Sequence, residues 1–298
     1  MTARDPFATL RARMDALGFR PSSVLGQNFL LDPSLHRFLA DQAAPTAADT
    51  VVEIGVGLGF LTRELAARAG RVVAVEIDGR LLQLAREDLA AASTVEWVHG
   101  DALAGPGRSL HPAIAAAAPA AVGGRVLLVA NLPYAVSGPL LAELCALPQL
   151  PARCVLLVQK ELAQRVAAPA GAPDYGGLGA LLQALFVPRL LRDVSPQVFR
   201  PRPKVVSAVL ELALRPAGPL AARSASDRRS FAVFVRQLFQ QRRKALRTTL
   251  PAALAAAGLP AVDWPDEVLQ GRAERASGDT IAAWWARAVA GAAGTARP

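Results

Sequence analysis

Asn131-Leu132-Pro133-Tyr134 places a carboxamide, a turn-fixing proline and an aromatic ring in four consecutive positions. The stretch directly follows an apolar run, residues 126–130, that reads as a buried parallel strand. In open α/β sheets, ligands bind just outside the carboxyl ends of the strands. A hydrogen-bonding side chain, a proline and a stacking ring at such an end suit a flat substrate with polar edges, such as a nucleobase.

A second constellation lies upstream. Val51-Val52-Glu53-Ile54 runs into Gly55-Val56-Gly57-Leu58-Gly59. Glycines let the backbone approach a ligand closely, and a following helix start offers unpaired N–H groups. The dinucleotide fingerprint wants glycine or alanine where this chain has Phe60. The pattern therefore fits a nucleoside with no pyrophosphate to cradle. Glu76 ends the next predicted strand, where a carboxylate can grip both ribose hydroxyls. Asp101 ends the third, where it can accept from an adenine amino group. Three successive strand ends carrying these groups look like an S-adenosylmethionine site. Glu53, inside its strand, is read as structural, bonding amides of the glycine loop.

The elements that must position these groups follow from short runs rich in Val, Ile and Leu. Strands are predicted at 50–54, 71–77, 95–99, 126–130 and 154–159, with helices at 61–69 and 79–91 between the early ones. Such alternation indicates an α/β fold with a mainly parallel sheet. Two further strands, 189–194 and 204–213, are joined by a proline-rich connection and are expected to pair antiparallel at the end of the sheet. Asp32-Pro33 reads as N-cap and first helical position of a helix through Leu35, Phe38 and Leu39. Residues 1–20 read as a short helical lead-in. The Ala/Pro stretch 110–122 and the Gly/Pro stretch 168–179 read as loops. Tyr175 and Gly176 are expected in a flexible loop. From about Pro216 the character becomes helical. Phe231, Phe234, Val235 and Leu238 have helical spacing within a predicted helix over 231–250, with the basic run Arg242-Arg243-Lys244 on its far side. The expected division is an α/β domain over 1–217 and a small all-helical domain over 218–298.

Charge is distributed unevenly. The net charge is +9, yet residues 188–247 hold 14 Lys or Arg against 3 Asp or Glu, leaving 19 against 21 elsewhere. The whole positive excess sits in 60 residues, which favours a footprint for a phosphate backbone over a merely solvated basic face. No apolar leader or 18-residue apolar span occurs, so the sequence reads as soluble and cytoplasmic, with no membrane partner. Cys145 and Cys154 lack metal-ligand spacing and are expected as buried, reduced thiols; no metal is expected. His36, His99 and His111 are scattered and expected on the surface or in loops.

Taken together, these residues resemble the ribosomal RNA adenine dimethyltransferase family, in its small-subunit branch. The match runs in order through Gly26-Gln27-Asn28-Phe29-Leu30, the glycine loop, Val75 to Asp78, Gly100-Asp101 and Asn131 to Tyr134. It continues through Val158 to Glu161, Asp174-Tyr175-Gly176, Phe199 to Ala208 and Phe239 to Lys244. The resemblance implies a Rossmann-like class I methyltransferase fold, with Asn28, Leu30, Gly55, Glu76, Asp101 and Asn131 holding S-adenosylmethionine. The implied target is two adjacent adenosines in a hairpin loop near the 3′ end of 16S rRNA in an immature 30S subunit, each dimethylated at N6 by a monomeric enzyme.

For that reaction Asn131 and the Leu132 carbonyl would hold N6, and Tyr134 would stack on the base. Phe199 is read either as covering the base's other face or as a core ring. Arg242, Arg243 and Lys244 would contact the RNA. The chain departs from the family at Val56, usually proline, at Ala135-Val136-Ser137-Gly138, usually Asn-Ile-Ser-Thr, and at Val206, usually aspartate. An assembly or checkpoint factor whose binding outweighs its catalysis is an alternative. The large-subunit, macrolide-resistance type of methyltransferase is another, disfavoured by Leu132 and by residues 199–208.

Overall fold

The computed structural model describes residues 27–295. The expected lead-in over 1–20 and Gly26 lie outside the described residues. The strands are β1 (Phe29–Leu30), β2 (Thr50–Ile54), β3 (Arg71–Glu76), β4 (Val95–His99), β5 (Val126–Asn131), β6 (Arg153–Gln159), β7 (Phe186–Val194), β8 (Phe199–Arg200) and β9 (Ser207–Leu214). The helices are α1 (Pro33–Ala43), α2 (Phe60–Ala66), α3 (Gly79–Asp88), α4 (Pro112–Ala115), α5 (Tyr134–Glu143), α6 (Lys160–Ala167) and α7 (Gly177–Gln183). The C-terminal part adds α8 (Ala225–Phe239), α9 (Leu246–Ala256), α10 (Asp266–Gln270) and α11 (Gly278–Thr295).

Among the described residues seven strands form one sheet, in the order β4-β3-β2-β5-β6-β9-β7. β4, β3, β2, β5 and β6 run parallel, whereas β9 lies antiparallel between β6 and β7. The fold is thus α/β with a mainly parallel seven-stranded sheet and a helical C-terminal region. The central strands are continuous apolar runs because both faces are covered. Val52, Leu128 and Leu156 point to one face, in a hydrophobic cluster that also contains Phe231, Phe234 and Trp285 of the C-terminal helices. Val51, Leu127 and Val155 point to the other, against Leu39 of α1 and Leu65 of α2. The antiparallel pair is found as expected, but its members start elsewhere. β7 begins earlier, at Phe186, and β9 later, at Ser207. Pro201 and Pro203 lack the N–H groups that a ladder needs, so residues 201–206 stay outside the sheet.

α1 starts where the sequence places it: Ser34 N–H donates to Asp32 Oδ1 at 2.8 Å, and Pro33 takes the first helical position. The stretch over 110–122 is not all loop, because His111 caps the one-turn helix α4 through Nδ1. The loop over 168–179 also ends early, since α7 begins at Gly177. A Cβ at Gly179 would lie 2.8 Å from the Arg165 carbonyl, so glycine there is a condition for packing α7 against α6. The predicted helix over 231–250 is two helices, and Arg242-Arg243-Lys244 occupies the turn between α8 and α9 rather than a helix face. α8 is seated by the buried Arg228, which donates to the carbonyls of Cys145 (2.8 Å), Leu147 and Arg223. Cys145 and Cys154 are buried and unpaired, as expected.

The two central strands are tied at their starts by Asp49. Its buried carboxylate accepts from the Arg125 N–H (2.7 Å) and Nη2 (2.7 Å), and from the Thr46 N–H (2.8 Å) and hydroxyl (3.0 Å). Burial alone would raise its pKa, but the Arg125 guanidinium and these amides outweigh it and hold the carboxyl well below the usual range. Asp49→Ala takes the carboxylate from the Arg125 guanidinium and from two amides beside the β2–β5 ladder. It is expected to cost roughly 2–4 kcal/mol in urea melts at pH 7. A change below about 0.5 kcal/mol would show that the tie is incidental.

Candidate active site

Parallel register brings the carboxyl ends of β2, β3, β4 and β5 to one edge. Ile54 lies beside Val75, Glu76 beside His99, and Glu53 beside Val129. The turn after β2 has positive φ at Gly55 (80°), Gly57 (55°) and Gly59 (76°). At Gly57 this conformation sends the N–H to Glu76 Oε2 at 2.8 Å, while Glu76 Oε1 accepts from Asp78 N–H at 2.9 Å. An L-residue at Gly57 would be strained whatever the space around it. Burial pushes the Glu76 carboxyl up, and the two amides offset part of that shift.

A cleft of about 230 Å³ opens at this edge. Asn28, Leu30, Gly55, Glu76, Asp101, Asn131, Leu132 and Tyr134 all line it, so the residues expected to hold the cofactor and to face the base come together in one place. Asp101 Oδ1 accepts from Leu103 N–H at 2.9 Å, which fixes the carboxylate in a turn after β4. Asn131 Nδ2 donates to the Asn28 carbonyl at 3.1 Å, leaving Oδ1 as an acceptor. Leu132 N–H donates to the Leu157 carbonyl at 3.1 Å, and Pro133 begins the turn into α5. The altered segment 135–138 forms the first turn of α5, where Ser137 donates its hydroxyl to the Pro133 carbonyl at 2.9 Å.

Other expectations need correction. Phe199 is fully buried, pairs through its backbone with Leu30, and packs in the hydrophobic cluster under α1. Its ring is a core ring and does not line the cleft. Tyr175 is also fully buried, its hydroxyl donating to the Ala276 carbonyl at 3.0 Å and its ring edge-on to Phe239. Arg242 donates to the carbonyls of Pro173 and Tyr175, holding that loop against the turn after α8. Arg243 and Lys244 are exposed in the same turn, and none of the three lines the cleft.

Two residues in the cleft wall differ from the expectation. His36 is not on the surface: it is 6% exposed, lines the cleft and lies 5.6 Å from the Phe60 ring. Burial pushes its imidazole down to about 4, against the pull of Asp32 and Glu64. Glu53 does not bond the glycine loop. Its two oxygens are buried in the cleft wall with no well-formed hydrogen bond among the described residues, and the buried hydroxyl of Thr62 is the group that pulls against the effect of burial. Period-2 alternation signals this placement, since Glu53 follows Val51 on the face covered by α2.

These features can be set beside known proteins. A family model described as ribosomal RNA adenine dimethylase matches residues 18–263. The chain belongs to that family. It is 42% identical over 252 residues to ribosomal RNA small subunit methyltransferase A of Pelotomaculum thermopropionicum, covering 85% of this chain and 83% of that one. It is 39% identical over 249 residues to the protein of the same name from an Anaeromyxobacter species, covering 84% and 86%. Among solved structures, a dimethyladenosine transferase from Plasmodium falciparum aligns with a TM-score of 0.65 at 21% identity, over 84% of this chain and 93% of that one. The 23S rRNA methyltransferase ErmE aligns with a TM-score of 0.60 at 24% identity, over 88% and 99%. At those identities the two structures bear on the fold alone.

Burial pushes the Glu53 carboxyl up to about 8, from a usual value of 4.5, and the charge of Glu76 adds to the shift. Between those values the folded state binds the extra proton. Its contribution to stability is therefore intact below about pH 4.5 and lost as pH rises towards 8. Glu53→Gln removes this dependence. Its stability relative to the parent should rise by roughly 1–3 kcal/mol between pH 5 and pH 8 in urea melts without cofactor. A difference independent of pH would refute a protonated Glu53.

Proposed function

We propose that this chain is an S-adenosylmethionine-dependent enzyme that dimethylates N6 of two adjacent adenosines in a hairpin loop near the 3′ end of 16S rRNA. The observation that carries the reading is the convergence of Asn131, Leu132 and Tyr134 with the glycine turn, Glu76 and Asp101 in a single cleft, in a chain of this family. The residues fit the methyl donor. The glycine turn lets the backbone come close, and each Glu76 oxygen, having accepted one amide, retains a lone pair for a ribose hydroxyl. Asp101 would accept from the donor's adenine amino group, with Asn28, Leu30, Gly55 and Asn131 completing the contacts. When bound, S-adenosylmethionine supplies an electrophilic methyl group.

The chain's own part is to make a poor nucleophile reactive by placement. Adenine N6 has its lone pair delocalised into the ring. Asn131 Oδ1, its amide oriented by the bond to Asn28, would accept one N6–H, and the Leu132 carbonyl would accept the other. Pro133 cannot donate an N–H, so no local donor competes at that position. These two acceptors favour a pyramidal nitrogen with its lone pair free, while Tyr134 stacks on the base. No dedicated base is required, because the proton leaves readily once N6 carries the new bond.

Residues 218–298 would act as the lobe that meets RNA on an immature 30S subunit, with residues 1–217 as the catalytic domain of a cytoplasmic monomer. Exposed Arg243 and Lys244, away from the cleft, also favour a binding role in subunit assembly that survives loss of catalysis.

Purified protein with labelled S-adenosylmethionine should methylate immature 30S particles, and mass mapping should place the label on adjacent adenines of 16S rather than 23S rRNA. Asn131→Ala should lower the rate roughly 100-fold or more. Label on 23S rRNA, or an unimpaired Asn131 variant, would overturn the assignment. Glu76→Ala should lose cofactor binding while keeping the affinity and salt dependence of particle binding. A parallel loss of both would remove the separate assembly role.

A further inference from the structure

Tyr134 stands at the first position of α5, half-buried at the cleft. Its backbone is fixed by the turn at Pro133, but a ring hinged only at Cα could rotate. The far end of the ring is also held: the hydroxyl lies 2.6 Å from Ser207 Oγ. Ser207 is fully buried and is the first residue of β9, where its backbone is paired with Gln159 of β6 and with Val194 of β7. The preceding residue is pinned as well, the Val206 carbonyl accepting from Lys160 N–H at 3.0 Å. Ser207 Oγ is thus located by two neighbouring strands, and the ring spans from helix start to sheet with both ends fixed.

We infer that Ser207 is a positioning residue for methyl transfer, setting the plane of the Tyr134 ring on which the target base stacks. The inference rests on the reading above that Tyr134 meets the base. A stacking platform contributes to rate only if its plane is fixed before the base arrives, because misplacement of the acceptor nitrogen by about 1 Å costs on the order of 100-fold. The burial that pushes the Tyr134 hydroxyl pKa up keeps the phenol neutral, able to donate or to accept in this bond. Sequence alone gives no sign of the pairing, since the two residues are 73 positions apart.

The test uses the full chain in a double-mutant cycle. Ser207→Ala and Tyr134→Phe should each lower kcat on immature 30S particles about tenfold, with the KM for S-adenosylmethionine unchanged. The double variant should be no slower than the worse single variant. The chain has two tyrosines, Tyr134 and Tyr175, so protein labelled with [ζ-13C]tyrosine gives two signals. Ser207→Ala should shift the Tyr134 signal and leave that of Tyr175, whose hydroxyl bonds the Ala276 carbonyl, as the internal check on folding. A Ser207→Ala enzyme as fast as a methylating parent, effects that multiply in the double variant, or an unmoved Tyr134 signal would each overturn the positioning role alone. A parent that methylates no rRNA would overturn the functional reading, and the role with it.

Discussion

The site depends on a single carboxylate that bridges two loops. Parallel pairing sets Val75 beside Ile54, so Glu76 projects one residue beyond the level at which β2 ends. There its two oxygens take one amide from the glycine turn and one from the start of the next loop, at Gly57 and Asp78. A buried carboxylate needs hydrogen-bond donors, and the positive φ of Gly57 turns its N–H towards one oxygen while the extended Asp78 supplies the other. The glycine turn and the acid are therefore coupled. α2 begins at the end of that turn. α3 begins immediately after Asp78, which caps it through Arg80 N–H. The carboxylate thus lies where two helix starts meet the floor of the cleft.

The cleft has an unusual charge inventory for a protein of this overall balance. Glu53, Glu76 and Asp101 face it, His36 is held neutral, and no lysine or arginine is among its described lining residues. A ligand carrying positive charge fits such a wall, whereas a phosphate group does not. This agrees with a sulfonium-bearing cofactor inside and a polyanionic substrate outside. The Glu53 carboxyl is buried in this wall. Its burial favours the neutral form, and a cation nearby would favour the ionised one.

The sheet and the strand-end residues were legible because they follow from local pattern. β-branched runs, a glycine turn and an Asp-Pro start each leave a signature within a few residues. The failures share a different cause. Phe199, Tyr175 and Arg242 sit in segments rich in proline, glycine or charge, which look exposed in sequence. Their fate was decided by contacts distant in sequence, such as Tyr175 with Ala276, 101 positions away, and Arg242 with Pro173, 69 positions away. His36 was hidden by its type, since a lone histidine in an amphipathic helix carries no mark of which face it joins. The single predicted helix over 231–250 failed because hydrophobic spacing continued across a turn that no glycine or proline announced.

Tertiary structure also divides the basic stretch. Several of its cations are already committed: Arg189 to Glu211, Arg215 to Asp279, Arg228 to buried carbonyls and Arg242 to the Pro173–Tyr175 loop and Glu274. Arg202, Lys204, Arg243, Lys244 and Arg247 are exposed and make no side-chain hydrogen bond or ion pair among the described residues. With Arg236, likewise exposed on α8, they fall in two places, the strap that leads into Ser207 and α8 with the turn that joins it to α9. The first is joined through Ser207 to Tyr134 at the cleft; the second stands on helices seated by Arg228. Counterion release is driven by cations that can meet phosphates, so the local excess of +11 overstates the electrostatic footprint. Two small patches, one on the strap before Ser207 and one on the C-terminal helices, would suit a folded polyanion met at separated points. A continuous basic face would track a duplex.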